Sequence, residues 1–255
     1  MSAFQVACGR GFVAAVTLTL YLTLIEKKRI IINKTVLFVS IFVCFKYITF
    51  ITANKLTAGA NCVAMSQTNV IFVLLFTCIM ERKLPAKKDV AVIIAVFAGI
   101  ALFFFGKFDL NGILGNLLAL GCGLCTAVLF FMSGKFKTFE ENLSSIIMGN
   151  FISSVLAFVV SIGQPVVFNF TSVSSILFLG IIQQATAFIL YSKAIRIISP
   201  FACAVLATLE PVLSPILLLL FLNEKPSEYA FFGIILVIGS IIIWNIANAK
   251  SKEKS

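Results

Sequence analysis

Nine apolar runs of about 18–22 residues occupy most of this 255-residue chain, at about 4–24, 35–53, 58–79, 89–106, 111–132, 144–162, 173–194, 201–222 and 229–247. Crossing the hydrocarbon core of a bilayer takes roughly 20 mostly apolar residues in a helix. The links between the runs are short, so no room is left for a soluble domain. Composition agrees: 60% of residues are hydrophobic, 12% are charged, and the mean hydropathy is +1.10. A soluble domain holds roughly half apolar and a quarter charged residues. The alternation expected of outer-membrane strands is absent. The chain is therefore read as an all-α polytopic membrane protein with nine visible transmembrane helices.

The net charge of +10 would suggest nucleic acid in a soluble protein. Here its placement reports orientation instead. The loops after helices one, three, five and seven, with the tail, hold fifteen basic residues: Lys27, Lys28, Arg29, Lys34, Arg82, Lys83, Lys87, Lys88, Lys135, Lys137, Lys193, Arg196, Lys250, Lys252 and Lys254. The opposite loops hold three, Lys55, Lys107 and Lys225. The split predicts a cytoplasmic first loop and C-terminus, an external Met1, and residence in the cytoplasmic (plasma) membrane. No nucleic-acid partner is expected.

Two stretches look like copies of one unit. The first runs from Gln67-Thr-Asn-Val through Glu81-Arg-Lys-Leu to the apolar residues 89–105. The second runs from Leu209-Glu-Pro-Val through Asn223-Glu-Lys-Pro to residues 229–244. Each is an apolar helix, a short turn with a glutamate, and a second helix with a central glycine, Gly99 or Gly239. The first turn is basic and belongs inside; the second carries one lysine and two glutamates and belongs outside. The copies therefore run in opposite directions, the arrangement of alternating-access carriers. Residues 1–106 form the first repeat, 107–248 the second, and 249–255 a basic cytoplasmic tail.

The stretch from Ala204-Val-Leu-Ala-Thr-Leu-Glu-Pro through Phe221-Leu-Asn-Glu-Lys-Pro to Gly233-Ile-Ile-Leu-Val-Ile-Gly resembles the EamA repeat of the drug/metabolite transporter superfamily. Leu56-Thr-Ala-Gly-Ala-Asn-Cys and the residues to Phe76 resemble its first copy. The resemblance implies two inverted five-helix repeats, ten helices in all, around a central solute cavity. Gly9-Arg-Gly-Phe-Val-Ala-Ala is similar to the family's second helix, which implies that the first is missing here: a late start, or a four-plus-five arrangement. Val70 stands where proline is usual, so the first copy departs from the pattern.

Charges at bilayer depth cost about 2.5–3.5 kcal/mol on insertion scales, so they normally face the bundle interior. Three occur: Arg10, Lys46 and Glu210. Arg10 lies near an end, where its long side chain reaches the interface. Lys46 sits mid-helix, where a lysine either loses its proton or finds an anion. That anion is a substrate carboxylate, a phosphate or Glu210, in a pathway role or a structural ion pair; a snorkelling side chain or a misplaced helix is the remaining reading. Glu210 precedes Pro211, and Pro215 follows; proline removes a helical hydrogen bond. A hinge is expected there, with Glu210 serving a gate, proton coupling or a structural contact. Ser214 and Cys203 share its face. Thr57, Asn61 and Thr68 share a face of helix three, Asn150 and Ser154 one of helix six, and Gln184 and Tyr191 one of helix seven. These either bond helix to helix or line a cavity. The substrate-pathway candidates are thus Lys46, Thr57, Asn61, Thr68, Gln184, Tyr191 and Glu210, with Pro211 and Pro215 as hinge residues.

The glycines Gly112, Gly115, Gly121 and Gly123 read as close-packing sites, since no strand precedes them and no lysine–serine pair follows. All seven cysteines fall within helices and act as small apolar residues. No histidine occurs, and no nucleophile–base pair, metal cluster or ATP-binding loop is visible, so no enzyme, metal or cofactor is expected. The reading is a secondary transporter and exporter of a small metabolite such as an amino acid, its partners a small-molecule solute and the lipid bilayer; a homodimer is left open. The alternative is a degenerate, non-transporting membrane protein acting as a binding or assembly partner.

Overall fold

In hydrocarbon, every backbone N–H and C=O must find its partner within the chain, which leaves an apolar sequence of this kind the helix as its fold. The structure, a computed structural model, describes residues 2–103, 112–165, 169–213 and 228–252. Lys107, Ser214, Pro215, Lys225 and the turn at 223–226 lie outside the described residues. Eleven α-helices are described. They are α1 (Ala3–Leu20), which runs on as the π-helical turn Tyr21–Ile25, α2 (Lys34–Leu56), α3 (Gly59–Ser66), α4 (Asn69–Glu81), α5 (Lys87–Phe103) and α6 (Ile113–Ser133). Next come α7 (Phe139–Ser161), α8 (Phe170–Phe178), a π-helical segment Leu179–Thr186, α9 (Ala187–Ala194), α10 (Pro200–Ala207) and α11 (Glu228–Lys252). No strand occurs among the described residues.

Among the described residues, seven stretches are long and apolar enough to cross a membrane, which makes the protein an all-α polytopic membrane protein. The sequence suggests nine. The two further runs are cut by undescribed residues: α5 is described to Phe103, and the apolar helix Pro200–Leu213 is the described part of the run at 201–222. Side chains at the starts of helices explain several boundaries. Ser2, Asn33, Thr138, Asn169 and Ser199 each accept a hydrogen bond from the first turn that follows, satisfying N–H groups that have no helical partner. Thr138 places the start of α7 at Phe139 rather than at 144, its first turn carrying Glu140 and Glu141. Asn169 is occupied in the same way, its Oδ1 accepting from the Ser172 N–H at 2.7 Å.

The helices interleave along the chain. α1 packs on α7 and on the Leu179–Thr186 segment, α2 packs on both α6 and α7, and α5 packs along α11. Small residues allow the closest approaches. A Cβ on Gly149 would lie 2.4 Å from the Val43 Cβ, and one on Gly99 would lie 2.5 Å from the Val237 Cγ2. The Ser40 hydroxyl donates to the Ser145 carbonyl at 3.0 Å across the α2–α7 contact.

The links gather at two ends. At one end, Lys28 pairs with Glu140 at 2.8 Å and Lys193 with Glu26 at 3.3 Å, while Arg196 donates to the Phe136 carbonyl at 3.1 Å. The Tyr21 hydroxyl donates to Glu26, which holds that carboxyl below the usual range. At the other end, Gln5 donates to the carbonyls of Gln164 and Pro165, Lys55 lies 4.2 Å from the centre of the Phe4 ring, and Gly112 abuts Leu56. The loops after helices one, five and seven thus share one end, and the N-terminus shares the other with the loops after helices two and six.

Two helices are broken at depth. The third apolar run, read from sequence as continuous, stops at Ser66 and restarts at Asn69. The other break falls at Thr208, two residues before Glu210. Pro211 lies in the helical residues that follow. The two breaks are built alike. The hydroxyls of Thr68 and Thr208 each donate to the carbonyl three residues back, Met65 or Val205, at 2.6 Å. Their backbone N–H groups donate to the same two carbonyls at 3.2 Å. Carbonyls freed by a break are thereby kept satisfied inside the membrane.

Candidate functional site

Between the two breaks lies a cavity of about 790 Å³, within the range of small-molecule sites. α1 contributes Arg10, and α2 contributes Lys46, Tyr47, Phe50 and Asn54. The first break contributes Ser66, Gln67 and Asn69, and the second Ala207, Glu210 and Pro211. α6 supplies Cys122, Thr126 and Phe130; the π-helical segment and α9 supply Gln183, Gln184, Phe188 and Tyr191. π-Helical turns recur at functional sites because the extra residue re-aims side chains; here the segment turns both glutamines to the cavity.

The cavity reaches Asn54 and Gly59 at the end that carries Lys55. Toward the opposite end, its lining residues Tyr47, Phe188 and Tyr191 pack on a cluster of Leu18, Leu22, Val36, Val39, Leu129, Leu143 and Ile146, all wholly buried.

Two cations share one aromatic ring. The Arg10 guanidinium lies 5.9 Å and the Lys46 ammonium 5.2 Å from the centre of the Tyr47 ring; Lys46 also lies 5.5 Å from Phe188. Ring faces attract cations without cancelling their charge. Neither cation nor Glu210 forms an ion pair among the described residues, where the ion pairs are Lys28–Glu140 and Lys193–Glu26. The Tyr47 hydroxyl is held by Gln184, which donates to it at 3.1 Å and also donates to Asn150. Asn150 is wholly buried and donates in turn to the Ile146 carbonyl at 2.8 Å. Tyr191 stacks against Phe130 with ring centres 5.2 Å apart.

Buried polar atoms normally find a partner. Among the described residues, Arg10 Nε, Asn69 Oδ1 and the Tyr191 hydroxyl are buried without one, and all three residues line the cavity.

Of the residues singled out from sequence, Lys46, Gln184, Tyr191, Glu210 and Pro211 are brought together at this cavity. Thr57 and Asn61 are placed elsewhere, in a cluster with Asn116: Thr57 donates to its Oδ1 at 2.8 Å and Asn61 at 3.2 Å. Thr68 closes the first break, and Pro215 lies outside the described residues. Ser154 faces α1, donating to the Cys8 carbonyl at 2.8 Å. Cys203 is buried and free.

Arg10, placed near a helix end by the sequence, lines the cavity beside Tyr47. Its neighbour Gly11 and the helix-facing Gly180 let α1 sit close enough for this, since a Cβ on Gly180 would lie 3.1 Å from the Arg10 carbonyl. Asn69 was overlooked. Pairing Val70 with Pro211 places Asn69 opposite Glu210, a signal present in the repeat. The aromatic contacts of Tyr47 and Phe188 left no such trace.

A polytopic helical bundle holding a charged cavity at the meeting of two broken helices is the architecture expected of a membrane transporter. Comparison with known proteins gives the family. The EamA-like transporter family matches residues 113–246, and the chain belongs to this family, part of the drug/metabolite transporter superfamily. It is similar to an uncharacterized transporter of Archaeoglobus fulgidus, at 26% identity over 199 residues, 75% of this chain and 68% of that protein. It is also similar to an uncharacterized transporter of Clostridium kluyveri, at 23% identity over 211 residues, 77% of this chain and 67% of that one. A solved crystal structure superposes with a TM-score of 0.84 at 18% identity, covering 97% of this chain and 90% of the other, a likeness of fold. The protein is a membrane transporter.

Proposed function

We propose that this transporter is a secondary carrier that exports a small metabolite of amino-acid type by alternating access. Residues 1–106 and 107–248 act as inverted repeats, a reading supported by the matched construction of the breaks at Thr68 and Thr208. The first loop and the tail at 249–255 are cytoplasmic, as the fifteen-to-three division of loop charge suggests. The cavity then faces outward in the described state, and the buried cluster around Val39 and Leu143 is the closed inner gate.

The observation that carries the reading is the cavity itself, with Lys46, Arg10 and Glu210 directed to it from three elements. A cation at this depth is costly unless it serves a solute pathway or finds an anion. Lys46 would attract the solute's anionic group; Gln184, Tyr191, Asn69 and Glu210 would contact the rest. With no described nucleotide site, a solute or ion gradient would drive the cycle.

In proteoliposomes, Lys46→Ala is expected to reduce solute counterflow at least tenfold while the purified protein stays monodisperse. Undiminished counterflow in that variant would remove Lys46 from the mechanism.

A further inference from the structure

The charges in the cavity narrow the class of solute. Among its described lining residues, the charged side chains are Arg10, Lys46 and Glu210. Two positive charges and one negative leave an excess of one positive charge. None of the three is neutralised by a described ion pair. Like-charged neighbours in a low-dielectric site repel unless a counter-charge lies between them. The rings of Tyr47 and Phe188 hold the two cations in place but carry no net charge to offset them.

From this we infer that the transported solute is an amine-bearing dianion: two acid charges and one ammonium, net charge −1. An acidic amino acid is the smallest common member of the class, and a phosphorylated amine satisfies the same count. The inference rests on the transport reading proposed above and specifies the substrate of that same site. Arg10 and Lys46 both line the cavity and lie 5.9 and 5.2 Å from the centre of the Tyr47 ring, so the two acid groups of one small solute beside that ring are placed within reach of both cations. Its ammonium turns to Glu210 at the second break. Asn69 is 96% buried at the facing break, since only 4% of it is exposed, and its unpartnered Oδ1 adds a second acceptor for the ammonium. The Arg10 guanidinium supplies donors to the acid oxygens. Donors and acceptors thus divide as the solute's charges do.

The inference makes Glu210 a specificity residue with a sign. Replacing it by glutamine raises the excess to two positive charges and removes the partner for the amine. Glu210→Gln should then prefer a plain dicarboxylate over its amine-bearing counterpart.

The test is counterflow in proteoliposomes with four probes: aspartate, phosphoethanolamine, succinate and alanine. Wild type is expected to exchange aspartate or phosphoethanolamine at least tenfold faster than succinate or alanine. Arg10→Gln should lower that flux at least tenfold, Arg10→Lys should retain the preference, and Glu210→Gln should reverse the aspartate-to-succinate ratio. Exchange of alanine in preference to the anionic probes would overturn the inference while leaving the transport reading intact. So would an unchanged aspartate-to-succinate ratio in a Glu210→Gln protein that still transports. If Glu210→Gln is inactive, wild-type competition decides: succinate competing as well as aspartate overturns the inference. Absence of exchange with every probe, and with a mixed metabolite extract, overturns the transport reading and this inference with it.

Discussion

Lys46 and Arg10 are both basic residues inside apolar runs, yet hydropathy alone ranks them differently. Lys46 sits mid-run, where no interface lies within reach. Arg10 sits near an end, and whether its side chain snorkels or turns inward depends on the packing of α1, which one sequence does not carry. The same limit applies to Thr57 and Asn61. Their helical spacing puts them on one face, but which partner that face meets is set by Asn116 on α6. The Gln184–Asn150 contact joins two polar residues that the sequence placed in separate stripes. Asn150→Ala is expected to leave one Gln184 N–H without its partner, costing about 1 kcal/mol. A lowered thermal midpoint in detergent checks this, and an unchanged midpoint would mean that the contact contributes nothing to stability.

At the scale of elements, nine runs in the sequence located the helices, and caps set their ends. Breaks were harder to see. The proline at 211 advertises the second one, although the turn itself falls at Thr208. The first has no proline, because Val70 occupies that place, so the run at 58–79 reads as unbroken. Its turn at Gln67 and Thr68 is kept in place by α6 through Gly123. A Cβ on Gly123 would lie 2.6 Å from Thr68 Oγ1 and 3.0 Å from the Ser66 carbonyl. Gly123→Ala is therefore expected to destabilise the protein by about 1–3 kcal/mol, the usual cost of overpacking, and to slow transport. Gly121, two residues away, has nothing within 4 Å of a built Cβ. Gly121→Ala should stay within about 0.5 kcal/mol of wild type. Thermal unfolding of the two variants side by side checks the contrast, and equal midpoints would contradict it. Gly112, Gly115, Gly121 and Gly123 all read from sequence as packing sites, and only with α3 and α4 in place does Gly121 stand apart from Gly123.

In the cycle proposed above, the whole molecule couples these parts by opening one end as the other seals. The cavity extends to Asn54 at one end, and Leu18, Leu22, Val36, Val39, Leu129, Leu143 and Ile146 form the buried cluster toward the other. The proposed alternating access requires that cluster to part when the Asn54 end closes. The most direct measurement is thiol labelling from each side of reconstituted vesicles, in chains with the native cysteines replaced. Asn54→Cys should label without solute, while Val39→Cys, wholly buried in the described state, should not. With solute cycling, Val39→Cys should become reactive from the other side as the labelling of Asn54→Cys falls. Solute exchange with Val39→Cys never labelled, or both positions labelled together in one conformation, would contradict the account.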